Sequence, residues 1–354
     1  MPKPINNTTK IIATIIVLIL CFVLYKMLWA KEKELRFSDI IVTPDMNTTI
    51  EAGKVLDVTF NEPKLSSHDS IVIRLNDQPL TTLIDKYGVV IDSKDLGLGY
   101  QKLDIKVSKR GKHKSISLPF VVVSDISPGP LVYSKVRDIT HDPKSYTQGI
   151  EMHNGILYES AGQYGESAIK KLDPLSGKTI QQKPLAKEYF GEGLTILDGK
   201  VYQLTYKEGI CIIYDESLNE LDKKRFPSTT REGWGLCNDG KSLIISDGSS
   251  KLTYVNPASF AIEKIMTIYA GSKEVAALNE LEYVNGIIYA NIYTTNQIVK
   301  IEANTGKVLG VLDMANLKNE NQDGEVLNGI AYNIKTGTFL ITGKYWKKMY
   351  EVKI

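Results

Sequence analysis

The chain has 354 residues, 43% hydrophobic and 24% charged, with 43 basic against 41 acidic side chains. A net charge of +2 leaves no basic surface of the kind that nucleic-acid binding needs, and no nucleic acid is expected as a partner. Three cysteines exclude a disulfide scaffold; nothing in the spacing of Cys211 and Cys237 requires a bridge, and both read as free, buried thiols.

The first informative element is an apolar run from Ile11 to Ala30, interrupted only by Thr14 and Lys26 and preceded by Lys3 and Lys10. It is long enough for a tilted transmembrane helix of about 20 residues, with Lys26 and Trp29 as interfacial anchors. Two rivals stay open. The strict apolar core Ile11–Tyr25 is short enough for a cleaved signal peptide, although Leu28-Trp29-Ala30 is a poor cleavage site. A lipid anchor at Cys21 is opposed by the bulky Leu20 before it. Residues 1–35 are taken as a retained membrane anchor, and every alternative puts the remainder outside the cytoplasm, periplasmic or extracellular.

Residues 36–127 alternate with the period of strands, as in Val55-Leu56-Asp57-Val58-Thr59-Phe60, Ile71-Val72-Ile73-Arg74-Leu75 and Leu103-Asp104-Ile105-Lys106-Val107. Turn residues recur between them, at Asn76-Asp77 and Lys109-Arg110-Gly111. This length of short strands fits a small immunoglobulin-like β-sandwich. It carries no visible chemistry and reads as a spacer or interaction module of unknown partner. Ser127-Pro128-Gly129-Pro130 is a linker.

From residue 131 to the end the chain repeats. Gln148-Gly149-Ile150, Glu192-Gly193-Leu194, Trp234-Gly235-Leu236, Asn279-Glu280-Leu281 and Asn328-Gly329-Ile330 recur at spacings of 44, 42, 45 and 49 residues. Each is followed by a second and a third strand pattern, such as Ile156-Leu157-Tyr158 and then Ala168-Ile169-Lys170-Lys171-Leu172. Repeats of about 40–50 residues with four short strands are the mark of β-propeller blades, so 128–354 is expected to form a five-bladed propeller. The last repeat ends at its third strand, Met349–Ile354, and the strand around Leu131–Val136 is free to supply the fourth.

In a propeller the innermost strands face one another, so equivalent positions meet around one mouth. The first repeat position holds Gln148, Glu192, Trp234, Asn279 and Asn328, and a second ring holds Gly162, Tyr206, Gly248, Tyr293 and Lys344. Together they describe an aromatic-walled pocket with a few converging polar groups. Glu192 is the sole acid in the two rings, and burial among aromatics would raise its pKa toward that of a general acid–base. Lys344 would pull the other way, and a plain Glu192–Lys344 ion pair is the competing reading. His68, His113, His141 and His153 are never spaced as ligand pairs, so neither a metal nor another cofactor is expected.

The same stretch resembles the glutamine cyclotransferase family of plants and bacteria. The resemblance rests on Tyr146-Thr147-Gln148-Gly149-Ile150-Glu151, Phe190-Gly191-Glu192-Gly193-Leu194-Thr195, Glu232-Gly233-Trp234-Gly235-Leu236, Leu278-Asn279-Glu280-Leu281-Glu282 and Thr342-Gly343-Lys344, with further fragments in family order. It implies a five-bladed propeller that closes an N-terminal glutamine into pyroglutamate with release of ammonia, without a metal. It implies Glu192 as catalytic acid–base, with Gln148, Asn279 and Lys344 as polar pocket residues. Phe190, Trp234, Tyr206 and Tyr293 would wall the pocket. Tyr206 and Tyr293 depart from the Trp common in the family, and Tyr146 from Phe. The implied partners are peptides or proteins beginning with Gln. A non-catalytic propeller that only binds peptide N-termini is the alternative, and ammonia release discriminates the two.

Overall fold

The computed structural model describes residues 7–29, 42–44, 47–60, 70–80, 84–85, 88–109 and 112–354. The apolar N-terminal run folds as one helix, Asn7–Trp29, whose side chains from Ile15 to Tyr25 are mostly about half exposed. Among the described residues no helix is long and apolar enough to cross a membrane, so the spanning helix expected from this run is not met as such. The boundary expected at 35 and the turn at 110–111 lie outside the described residues.

The alternation in the next region does produce strands. Ser70–Leu75 pairs antiparallel with Gly99–Lys109, with Ile73 opposite Ile105, both buried, while Val72 points outward. Asn76 and Asp77, at φ 50° and 65°, form the two-residue loop that joins Ser70–Leu75 to Gln78–Pro79. Two successive positive φ values match the right-handed twist of a hairpin, and Asn and Asp adopt them most readily after glycine. Thr48–Glu51 runs parallel to the end of Lys112–Val123. The chain divides into two compact units, one of 1–45, 57–90 and 103–118, the other of 46–56, 91–102 and 119–354.

The second unit carries five antiparallel sheets, giving the protein an all-β, propeller-like fold. The first four begin with the strands Thr147–His153, Gly191–Leu197, Leu236–Asn238 and Leu278–Val284, and each runs outward in chain order through four strands. The fifth is built from Leu327–Asn333, Thr338–Gly343 and Lys348–Lys353, with Ser134–Thr140 completing it from before the first sheet. Lys353 lies opposite Ser134 and Lys348 opposite Thr140, close to the exchange expected from the repeat. Gly129–Leu131 adds in parallel to Val308–Asp313 at the outer edge of the fourth sheet. Asn154-Gly155, Asp198-Gly199 and Asn285-Gly286 close the first hairpins of the first, second and fourth sheets at positive φ.

The first strands of successive sheets neighbour one another, and that of the fifth neighbours that of the first, so the inner strands form a cycle. Glycine makes the approach possible. A Cβ on Gly193 would lie 2.5 Å from the Leu236 nitrogen, and one on Gly235 would lie 2.0 Å from the Asn279 oxygen. The fourth repeat breaks this pattern with Glu280, which is buried and accepts a 3.2 Å hydrogen bond from the Ile150 N–H of the first sheet.

Each pair of adjacent sheets encloses its own apolar cluster. Tyr158, Ile169, Leu194 and Ile212 fill the first gap; Leu204, Ile213, Leu236 and Ile245 the second; Ile244, Leu252, Leu281 and Ile288 the third. Ile298, Leu312, Ile330 and Tyr350 fill the fourth, and Ile139, Ile150, Leu157 and Leu340 the fifth. Burying one such side chain contributes roughly 1.5–3 kcal/mol. An exposed ion pair such as Lys348–Asp138 contributes about 0–1 kcal/mol, so inter-sheet packing dominates the closure.

Candidate active site

In four inner strands the ladder slips at the residues that carry the repeat: between Thr147 and Gly149, Gly191 and Leu194, Leu278 and Leu281, and Leu327 and Ile330. A bulge of this kind releases a residue from strand alternation and re-aims its side chain. Here the released residues include Gln148, Glu192, Asn279 and Asn328.

Three of these four, with residues from the neighbouring turns, surround a cavity of about 220 Å³. Its lining is Tyr146, Gln148, Phe190, Glu192, Tyr206, Trp234, Asn279, Tyr293 and Lys344. Nine of the ten residues singled out from sequence therefore share one cavity. The tenth, Asn328, expected beside them, is fully buried behind Gln148, donating from Nδ2 to the Thr147 carbonyl at 3.0 Å and to Gln148 Oε1 at 3.2 Å. Those contacts orient the Gln148 amide, whose NH2 is left as the end free to donate.

The aromatic walls are keyed together. Phe190 meets Tyr146 edge-on at 6.0 Å and lies 5.7 Å from Tyr206, and Trp234 meets Tyr293 edge-on at 5.2 Å. Two glycines of the second ring make room for them. A Cβ on Gly162 would come within 2.4 Å of Phe190 Cε1, and one on Gly248 within 2.7 Å of Trp234 Cζ2. Tyr164, which the ring positions did not pick out, packs on Phe190 at 5.3 Å and donates to Glu208 at 2.8 Å from an exposed position. Glu232 accepts from the Trp234 indole at 3.0 Å and lies 3.8 Å from Lys207.

Inside this wall Glu192 is 4% exposed, and among the described residues no group hydrogen-bonds its carboxyl. Burial pushes its pKa well above the ordinary carboxylate value; Lys344 opposes the shift, and Glu232 and Glu208 add to it. Lys344 forms no salt bridge with Glu192. Its ammonium instead sits 4.5 Å from the centre of the Tyr146 ring and 5.1 Å from that of Tyr293. Burial lowers its pKa, with Glu192 and Glu325 opposing. The plain ion pair entertained from sequence is thus absent: the two groups feel each other's charge but hold apart, with space between them for a third molecule. Among the described residues no three or more His, Cys, Asp or Glu side chains are gathered so as to hold a metal ion.

A buried, unpaired acid facing a buried cation across an aromatic cavity is the equipment of a proton-transferring enzyme acting on a small polar group. The glutamine cyclotransferase family model matches residues 120–354. A glutaminyl-peptide cyclotransferase of Arabidopsis thaliana is 35% identical over 226 residues, covering 62% of this chain and 70% of that protein. The crystal structure of Myxococcus xanthus glutaminyl cyclase superposes with a TM-score of 0.59 at 32% identity, covering 64% of this chain and 97% of that one. This chain belongs to the glutamine cyclotransferase family.

Proposed function

We propose that this protein is a glutaminyl-peptide cyclotransferase, converting an N-terminal glutamine of a peptide or protein into pyroglutamate with release of ammonia. The observation that carries the reading is Glu192, buried without a hydrogen-bond partner among the described residues and separated from Lys344 by an aromatic-walled cavity. The α-amine nitrogen attacks the side-chain carboxamide carbon of the same residue, forming the lactam C–N bond. Glu192 takes a proton from that nitrogen and passes it to the departing amide nitrogen, which leaves as ammonia. The raised pKa makes the Glu192 carboxylate a stronger base toward the amine, and the carboxylic acid so formed then hands its proton to the departing nitrogen. Lys344, Asn279 and the Gln148 amide line the same cavity, and to them we assign the developing oxyanion, a contribution of about 2.7–4 kcal/mol for one good donor. The aromatic walls hold the glutaminyl stem and exclude water. Because the reaction is intramolecular, fixing the reactive rotamer supplies much of the rate.

We read the five sheets as the blades of a five-bladed propeller, supported by the closed cycle of inner strands and the clusters between neighbours. The strands between 36 and 127 read as a sandwich-like module. The exposed apolar face of Asn7–Trp29 supports attachment to a membrane, with the cyclotransferase region outside the cytoplasm. The test of the activity is mass spectrometry of Gln-initiated peptides incubated with the full chain. Loss of ammonia from these, and none from peptides whose Gln is acetylated at nitrogen, is expected. Unchanged Gln-peptides that nonetheless bind would replace the enzyme with a binding module.

A further inference from the structure

Beneath the cavity lies a second cluster of buried ionisable groups that the cyclisation does not use. His141, Ser145, Thr147, Glu159 and Lys170 are each no more than 5% exposed. His141 Nδ1 is 2.8 Å from the Trp346 carbonyl and Nε2 is 3.0 Å from Glu159 Oε1. A carbonyl can only accept, so Nδ1 must carry a proton. The same Glu159 oxygen also takes the Ser145 hydroxyl at 2.5 Å and the Thr147 hydroxyl at 2.8 Å. Facing that carboxylate, Nε2 donates too, and with both nitrogens protonated the ring is an imidazolium.

The position of the cluster gives it a role. Thr147 stands between Tyr146 and Gln148 in the chain, and the Ser145 carbonyl accepts the Tyr345 N–H at 2.8 Å. The His141 N–H donates to the Lys347 carbonyl at 3.0 Å, so His141 grips the turn that carries Lys344 through both main chain and ring. Tyr345 in that turn is held at φ 59°, a conformation its own side chain disfavours and its surroundings must impose.

We propose that His141, held as an imidazolium between the Trp346 carbonyl and the Glu159 carboxylate, is a positioning residue for cyclisation, locking the strand end that bears Tyr146 and Gln148 to the turn that bears Lys344. The proposal rests on the cyclotransferase reading for its kinetic consequence, but not for the latch itself. Groups facing the pair are Lys170 on the third strand of the first sheet, 3.8 Å from Glu159 Oε2, and Asp142, 3.3 Å from Lys170. The turn from Trp346 to Lys348 presents main-chain carbonyls. Burial pushes the His141 pKa down, and the Glu159 charge with the hydrogen bonds more than offsets it, leaving it above 6.5. Burial likewise pushes Glu159 up, but His141 and Lys170 pull it to about 2. The imidazolium therefore holds the latch below 6.5 and releases it as pH rises through its higher folded-state pKa. The Glu159 share is present above 4.5 and is lost as pH falls toward about 2.

The test is Glu159→Gln in the full chain, which keeps shape and acceptor but removes the charge. Histidine 15N NMR of the wild type at neutral pH should show a His141 ring with both nitrogens protonated, and that signal should become a neutral ring in E159Q. kcat should fall at least about tenfold with KM changed by less than about threefold, because a slight misplacement of Lys344 and Tyr146 costs rate rather than affinity. Ser145→Ala, which removes one donor and leaves the charge, should show a smaller fall in kcat and keep the imidazolium signal, and it carries the test if E159Q does not accumulate folded. A neutral His141 in the folded wild type, or a folded variant with wild-type kcat, overturns the proposal. Absence of turnover in the wild type itself would strike the cyclotransferase reading instead, with the NMR signals still reporting on the latch.

Discussion

Replacing Glu192 by Gln should abolish turnover and stabilise the fold at the same time. The substitution preserves size and removes the one proton-accepting group in the cavity without a bonded partner. General acid–base catalysis contributes about 10²–10⁴-fold, equivalent to about 2.7–5.5 kcal/mol of barrier. The stability change has the opposite sign. Burial raises the Glu192 pKa, so between the ordinary value of 4.5 and the raised one the folded state holds a proton the unfolded state has lost. Stability contributed by this site therefore falls as pH rises through that window. Ionising the buried carboxyl above that window costs folding free energy, and the Gln variant escapes that cost. For a region of this size, each kcal/mol regained raises Tm by about 2–4 °C. Coupled ammonia release measures the first effect and calorimetry at neutral pH the second. A variant that turns over within about threefold of wild type, or one that melts earlier, refutes the role assigned to this carboxylate.

The same pair of shifts predicts a narrow pH–rate profile. Glu192 must be ionised to take the amine proton and Lys344 protonated to steady the oxyanion, so kcat should fall below the raised pKa of one and above the lowered pKa of the other. A flat plateau spanning both ordinary values, 4.5 to 10.5, would contradict the burial of both groups. Gly162→Ala should drive Phe190 into the cavity, since the new methyl would sit 2.4 Å from its ring, raising KM for Gln-peptides with little change in far-UV circular dichroism. Gly235→Ala meets main chain at 2.0 Å instead of a movable side chain, and its unfolding free energy in urea should drop by about 3 kcal/mol, the upper end of the usual overpacking cost.

The repeat was legible because the ring geometry writes itself into composition. Inner strands that nearly touch demand glycine at Gly149, Gly193 and Gly235, a φ of 136° demands it at Gly329 in the same repeat position, and two-residue hairpins favour Asn-Gly or Asp-Gly. Aligning those positions picks out seven of the nine residues that line the cavity, and the family resemblance adds Tyr146 and Phe190. Asn328 escaped because a bulge frees a residue from alternation without fixing its new direction, and spacing alone cannot tell the cavity from the layer behind it. Tyr164 lies in a turn beyond the strand ends, where periodicity has nothing to say. The His141–Glu159 pair joins residues whose shared contacts reach across 205 positions to Trp346, and no local pattern marks such a meeting. The N-terminal run is helical, as its apolar length leads one to expect, and among the described residues no helix is long and apolar enough to cross a membrane.

One consequence of the strand exchange concerns the order in which the molecule can be made. Ser134–Thr140 emerges from the ribosome before any of the five sheets, yet its partner Lys348–Lys353 follows some 214 residues later, as the Arg137–Glu351 contact measures. At about 5–20 residues per second, the early segment waits on the order of ten seconds or more with its hydrogen-bonding edge unmatched. Throughout that interval the nascent protein offers a bare β edge to any neighbour, so a chaperone or slow dilution should matter most for yield in this window.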